Sequence, residues 1–65
     1  MWVVLKGYNP TYRVIRRFED EGSAMLFYDR SCAADKCQLY HYAWCKETDI
    51  VPNPDYPGRY MEAEH

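Results

Sequence analysis

The first residues of the chain contain an uninterrupted apolar run, Trp2-Val3-Val4-Leu5, which ends at Lys6 and Gly7. Successive side chains of a strand point to opposite faces of a sheet, so such a run supplies apolar side chains to both faces. A strand of this kind is stable when both faces of its sheet are covered. The run therefore predicts a central strand over residues 2–6, with a layer of chain packed on each side.

The next two segments change from a two-residue period to a helical one. Residues 12–18, YRVIRRF, are rich in β-forming residues, and Asn9-Pro10 predicts a turn before them, so the first two strands form a hairpin. Asp20 is a helix-capping residue, and apolar or small side chains follow it at helical spacing as far as Ser31. A helix over residues 21–32 is expected.

An aromatic segment follows the helix, and it predicts the third strand. Residues 38–46 contain no glycine or proline. A strand, helix, strand crossover is right-handed and places the two strands parallel, which leaves the first strand between them. We expect a small α/β (α+β) domain of order β-β-α-β, with a three-stranded sheet of order 2-1-3 and one helix packed on one face.

The C-terminal part of the chain has a different composition. Residues 50–60, IVPNPDYPGRY, hold three prolines and a glycine, which exclude a helix and favour extended backbone. We therefore divide the chain into a compact domain, residues 1–49, and an extended proline-rich tail, residues 50–65. The tail either lies across the sheet or its edge, or extends away from it.

As a strand, residues 37–46 put smaller side chains on one face and larger ones on the other. We expect the smaller side to pack beneath the helix and the larger side to face outward or to meet the tail. The smaller side holds Cys37, Leu39, His41, Ala43 and Cys45, and the larger side holds Gln38, Tyr40, Tyr42, Trp44 and Lys46.

The larger side supplies the residue types that dominate protein interfaces, which are Tyr, Trp and Arg. We predict a non-catalytic protein that binds a macromolecular partner, and self-association as a homodimer could use the same surface. The predicted binding residues are Arg13, Arg17, Tyr40, Tyr42 and Trp44. The alternative is a second small core beneath the tail, made of Trp2, Tyr40, Tyr42, Trp44 and Tyr60.

Single-stranded nucleic acid is the alternative partner, because exposed rings stack on bases while arginines hold phosphates. The overall charge of the chain disfavours binding of nucleic acid. Residues 1–18 carry four basic side chains and no acid, but the formal net charge of the chain is −2 and Glu19-Asp20-Glu21 places three acids together. The electrostatic attraction that dominates nonspecific binding is therefore weak.

Catalysis is not expected. A chain of 65 residues leaves little room for a closed pocket, and its three glycines are isolated, so no phosphate-binding loop is present. Because His65 is terminal, His41 is the one histidine within the predicted fold.

A zinc site is the remaining alternative. The ligand types occur as C-x4-C-x3-H-x3-C, at Cys32, Cys37, His41 and Cys45. If this segment is extended, each four-residue step separates side chains by roughly 13 Å, which is too far for one tetrahedral ion. We therefore expect no metal and no other cofactor.

Location follows from the same composition. No apolar run approaches the roughly 20 residues that cross a bilayer, so no membrane contact is expected. Three cysteines are an odd number, which suits reduced thiols better than a disulfide framework. The expected location is the cytoplasm.

The pattern of WVVLKG, YRVIRRFEDEGSAMLFYD and LYHYAW resembles that of short bacteriophage-encoded proteins of strand, strand, helix, strand type, some of which inhibit host enzymes such as RNA polymerase. The resemblance spans residues 2–46 and rests on element order and apolar positions. It implies a phage or mobile-element accessory protein that modulates or inhibits a host protein in the host cytoplasm. No residue role is carried over from it.

Overall fold

A three-stranded antiparallel sheet organises the chain, seen in a computed structural model that describes residues 1–64. The central strand, β1 (Trp2–Lys6), pairs with β2 (Arg13–Phe18) on one side and with β3 (Tyr42–Lys46) on the other, so the strand order is β2-β1-β3. The predicted α+β fold and strand order are confirmed, and His65 lies outside the described residues. The elements are β1 (Trp2–Lys6), β2 (Arg13–Phe18), α1 (Glu21–Ala34), β3 (Tyr42–Lys46), a 3-10 turn (Glu47–Asp49), β4 (Ile50–Pro52) and β5 (Tyr60–Glu62).

Strand β1 is covered on both faces, as its apolar run predicts. Val3 and Val4 are 0% exposed and Leu5 is 2% exposed. Val3 and Leu5 point to one face of the sheet and Val4 to the other, because side chains alternate along a strand. Helix α1 covers the Val4 face, and the C-terminal segment covers the Val3 and Leu5 face.

A β-bulge in β2 changes which of its side chains share a face. Val4 is opposite Arg16 and Leu5 is opposite Val14, which leaves Ile15 as the extra residue. Strict alternation predicts Arg13 and Arg17 on one face, and this is wrong. Arg17 is opposite Val3 and shares its face, whereas Arg13 is opposite Lys6, which points to the helix side with Val4.

Helix α1 begins where the sequence indicates. The Asp20 carboxylate accepts hydrogen bonds from the Ser23 backbone N–H at 2.8 Å and from the Ser23 hydroxyl at 2.9 Å. These bonds hold the pKa of Asp20 below its ordinary value. The helix continues to Ala34, two residues beyond the predicted end, and Ala24 is its one buried residue.

Strand β3 begins at Tyr42, so the prediction that it starts at Gln38 is wrong for residues 38–41. Those residues form a loop because the side-chain oxygens of Asp35 accept hydrogen bonds from the backbone N–H groups of Leu39 and Tyr40, which are then not available for strand pairing. The expected packing of β3 is also reversed. Ala43 and Cys45 pack under the C-terminal segment, and the face that carries Tyr42 is the one beside α1. Small side chains there leave room for the branched side chain of Ile50.

The C-terminal segment lies across the sheet, which decides between the two placements that the sequence left open. Its strands β4 and β5 form a second, two-stranded antiparallel sheet. Ile50 is 8% exposed and joins the core of Val3 and Leu5. Tyr60 and Tyr12 exchange two backbone hydrogen bonds of 2.8 Å, which joins this sheet to the hairpin.

Within residues 1–64, no helix has both the length and the apolar character that a membrane crossing requires.

Candidate functional site

The loop between α1 and β3 is ordered by one side chain, that of Asp35. Its two carboxylate oxygens accept hydrogen bonds from the backbone N–H groups of Leu39, at 3.1 Å, and Tyr40, at 2.8 Å. Its backbone N–H donates to the Ser31 carbonyl, which ends α1, and its own carbonyl accepts from Gln38. Asp35 therefore ends the helix and fixes the course of the next five residues.

Two further contacts hold the far end of this loop. Gly7, whose φ of 103° suits glycine, donates its N–H to the His41 carbonyl at 2.8 Å. The His41 ring stacks on Tyr8 with a centroid distance of 4.7 Å and an interplanar angle of 12°. Gln38 has a φ of 52°, a left-handed conformation that costs about 1 kcal/mol for a residue other than glycine. The surrounding hydrogen bonds offset that strain.

The ordered loop and the adjacent Tyr8 of the β1–β2 hairpin expose apolar side chains to solvent. Leu39 is 72% exposed, Tyr8 is 66% exposed and Tyr40 is 53% exposed. Large apolar groups gain nothing from such positions in the isolated chain, so a cluster of them on fixed backbone is typical of an interaction site. We call this cluster the aromatic loop surface, and it consists of Tyr8, Leu39, Tyr40, His41 and Tyr42.

A cleft of about 350 Å³ opens between this surface and the end of α1. Its lining residues are Tyr8, Tyr28, Cys32, Asp35, Gln38, Tyr40, His41 and Tyr42. Burial raises the pKa of Tyr42, and hydrogen bonding with the Cys32 thiol raises that of Tyr28. Both hydroxyls are therefore protonated at neutral pH and can donate hydrogen bonds to a partner's carbonyl groups.

Positive charge lies at one side of the cleft. The Lys6 ammonium nitrogen is 3.6 Å from the centroid of the Tyr40 ring, a cation–π contact that also restricts the ring. Arg13, Lys6 and Tyr42 form one row across the three strands. Adjacent strands are about 4.8 Å apart, so Arg13 lies roughly 10 Å from Tyr42.

The structure brings together only part of the predicted binding set. Tyr40 and Tyr42 line the same cleft, with Arg13 on the same side of the sheet. Trp44 is half-buried and packs against Trp2 with a centroid distance of 5.8 Å. Arg17 lies on the opposite face and forms an ion pair with Glu47 at 3.4 Å. The alternative small core is present only as the two tryptophans, because Tyr60 belongs to the opposite face.

The four candidate zinc ligands are not brought together. Within residues 1–64, no three His, Cys, Asp or Glu side chains converge as a metal site. Cys32 and Cys37 are exposed, and His41 stacks on Tyr8. Cys45 is half-buried on the far face of the sheet, where burial and then the charges of Asp49 and Glu62 raise the pKa of its thiol.

Sequence reasoning missed three important residues of this site, which are Tyr8, Tyr28 and Asp35. Tyr8 and Tyr28 are distant from Tyr42 in sequence and meet it only through the fold. Asp35 carried a local signal, because an Asp at the end of a helical pattern commonly binds the backbone of the following turn.

Comparison of the chain with protein-family models, with curated proteins and with solved structures found no match.

Proposed function

We propose that the chain is a non-catalytic module that binds a protein partner through the aromatic loop surface. The observation that carries this proposal is the exposure of Leu39 and Tyr40 on a loop whose backbone Asp35 holds in place. Burying these side chains against a partner gains hydrophobic free energy. Because the loop is already ordered, little conformational entropy is lost on binding.

The tyrosines give this surface both affinity and specificity. A Tyr side chain offers a large, rigid contact area with few rotatable bonds, and its hydroxyl forms directed hydrogen bonds. Tyr8, Tyr40 and Tyr42 surround a cleft large enough for a partner side chain. Leu39, which lies in the chain between the cleft residues Gln38 and Tyr40 and is exposed, is the apolar anchor.

The identity of the partner is a separate part of the proposal. We propose a host protein, modulated or inhibited by a phage or mobile-element accessory protein, and its support is the resemblance in element order over residues 2–46. Capture from a bacterial lysate is the direct approach to it. A photo-crosslinking amino acid at position 39 should link to a defined protein, whereas the same group at position 25 should not.

Met25 provides the matched control, because it is an apolar residue of α1 that is 42% exposed and does not line the cleft. We expect Leu39→Ser to weaken partner binding at least tenfold, about 1.4 kcal/mol, and Met25→Ser to leave it unchanged. Asp35→Ala keeps every side chain of the aromatic loop surface but frees the loop, so it should also weaken binding. Equal binding by Leu39→Ser and Met25→Ser would refute the proposal.

Single-stranded nucleic acid is a second candidate, favoured by the position of Lys6 over Tyr40 beside the row that includes Arg13. This candidate predicts binding of short oligonucleotides that weakens steeply with salt. A titration at low salt distinguishes it from protein binding. Absence of any signal would remove this candidate.

A further inference from the structure

A second surface of this molecule is unrelated to the aromatic loop surface and lies on the other flank of α1. It is a groove of about 370 Å³ between α1 and the edge strand β2, which we call the arginine groove. Its lining residues are Arg16, Phe18, Ser23, Leu26, Phe27 and Arg30. We propose that this groove binds an acidic segment of a protein partner that carries an apolar anchor side chain.

The floor of the groove is aromatic. The rings of Phe18 and Phe27 are 5.6 Å apart at an angle of 51°. Leu26 adjoins them and is 61% exposed, so the apolar surface continues to the rim. An apolar side chain of a partner would bury this surface, which the chain itself leaves open to water.

The walls of the groove are positively charged. The Arg16 guanidinium carbon is 5.7 Å from the centroids of both Phe18 and Phe27, so these rings hold its charge above the floor. Arg30 extends from α1 at the same groove. Among the described residues the one ion pair is Arg17–Glu47, so neither groove arginine is neutralised by an acid of this chain.

Charge complementarity identifies the partner as acidic and sets its orientation. Asp20 and its acidic neighbours lie at the Ser23 end of the groove, where Ser23 donates to Asp20. Arg30 lies two helical turns farther along α1, about 10 Å away. The anchor therefore binds over the rings, and the partner's carboxylates lie toward Arg30 and away from the acidic end.

A polyphosphate chain fits this groove less well than a peptide. A nucleic-acid backbone carries charge at every step, and the acids at the Ser23 end would repel it. A peptide can place its acidic residues at one end only. Arginines on an edge strand also deter aggregation with other strands, but that role requires no aromatic floor beneath the guanidinium.

Fluorescence anisotropy with defined peptides tests the proposal. The probe is a short labelled peptide in which a phenylalanine precedes a run of glutamates, and its matched forms carry alanine for the phenylalanine or lysines for the glutamates. We expect the probe to bind more tightly than both matched forms and to weaken as salt screens the charges. Failure of the probe to bind, or equal binding of the lysine form, would overturn the proposal.

Two double variants separate this groove from a general charge effect. The first variant is Arg16→Glu with Arg30→Glu, and the second is Arg17→Glu with Arg59→Glu. Each replaces two arginines with two acids, so both variants have the same net charge. We expect the first variant to lose about tenfold or more in probe affinity and the second to change little. Both must retain the circular dichroism spectrum of the parent chain, and single Arg→Gln variants replace any that does not.

Two further measurements test whether a nucleic acid binds in the arginine groove and whether the groove acts independently of the aromatic loop surface. A labelled single-stranded oligonucleotide that bound at the groove, with the same dependence on Arg16 and Arg30, would refute the acidic-peptide assignment. Leu39→Ser should leave peptide binding intact, so failure of the aromatic loop surface and failure of the groove are distinguishable. Equal loss of peptide binding in both double variants would also refute the proposal.

Discussion

The two faces of the three-stranded sheet are covered by layers of different character. On one face, the C-terminal segment packs closely, and Val3, Leu5 and Ile50 form a contiguous buried cluster. On the other face, α1 contributes one buried side chain, that of Ala24, and its flanks rest on half-buried aromatic rings. The helix therefore covers its face less completely than the proline-rich segment covers the other.

This difference separates the candidate binding surfaces from most of the apolar core. Both candidate binding surfaces lie along α1, where incomplete cover leaves a cleft on one flank and a groove on the other. The opposite face holds most of the apolar core, so it supplies most of the stability. A small domain with one well-packed face can leave the other available for binding.

Removal of residues 50–65 tests this comparison most severely. We expect the shortened chain to lose cooperative thermal unfolding, because Val3 and Leu5 would be exposed where Ile50 now covers them. The lost burial exceeds the few kcal/mol that a domain of this size has available. Circular dichroism and calorimetry measure the transition.

A chain ending at Ala63 is the control for that truncation, because it keeps β5 and the hydrogen bond from Ala63 to the Asp49 carbonyl. It should unfold cooperatively. The division into a compact domain of residues 1–49 and a separate tail stays a prediction, and a cooperative transition of residues 1–49 alone would support it against the packing argument.

Adjacent valines provide a matched pair for the two faces. Val3 and Val4 are both 0% exposed, but Val3 faces the contiguous cluster and Val4 faces the helix. We expect Val3→Ala to cost about 3 kcal/mol and Val4→Ala about 1.5 kcal/mol, because half-buried rings such as Trp44 can shift to fill part of the cavity. Urea unfolding gives both values. Equal costs, or a larger cost for Val4→Ala, would mean that the helix face is as tightly packed.

Local signals in the sequence determined much of the fold. The apolar run of β1, the cap at Asp20 and the helical spacing that follows it each act over a few residues, and the order of strands follows from crossover handedness. The start of β3 did not follow from such signals. Its aromatic residues favour strand, but the Asp35 carboxylate binds the backbone of Leu39 and Tyr40 and overrides that preference.

The two-residue alternation of side chains along a strand could not predict features that depend on tertiary packing. The bulge at Ile15 depends on how β2 pairs with β1, and it moves Arg17 to the opposite face from Arg13. Alternation in β3 separated Ala43 from Tyr42 correctly but could not say which layer each would meet, since both sides are apolar. The candidate site was predicted through Tyr40 and Tyr42, and its remaining tyrosines join it only in the folded chain.

Two asparagines join the C-terminal segment to the hairpin and test that contact more finely. Asn53 is 6% exposed and donates its side-chain N–H to the Pro10 carbonyl at 2.7 Å. Asn53→Ala should cost about 2 kcal/mol, because it removes both hydrogen bonds of a buried side chain, the one to the Pro10 carbonyl and the one accepted from the Asp55 N–H. Asn9 accepts from the Glu62 N–H at 2.8 Å but is exposed, so Asn9→Ala should cost under about 1 kcal/mol. Denaturant unfolding measures both, and a reversed order would weaken the case for a tightly packed segment.

The cap at the start of α1 has a small expected effect on stability, and this effect depends on pH. Asp20→Ala removes the cap, and we expect a decrease in Tm of about 5 °C at neutral pH. The Ser23 hydrogen bonds hold the pKa of Asp20 below its ordinary value of 3.8 in the folded chain. A lowered folded pKa gives stability that is present above the unfolded pKa and is lost as pH falls through the folded value. The difference in Tm between the parent chain and Asp20→Ala should therefore be constant above about pH 5 and shrink below about pH 4.

Glu19→Ala, a change at the neighbouring exposed acid, is the control and should leave Tm nearly unchanged at neutral pH. A loss of cooperative unfolding in Asp20→Ala would contradict the comparison, because it would mean that the helix, and not the C-terminal segment, carries most of the stability.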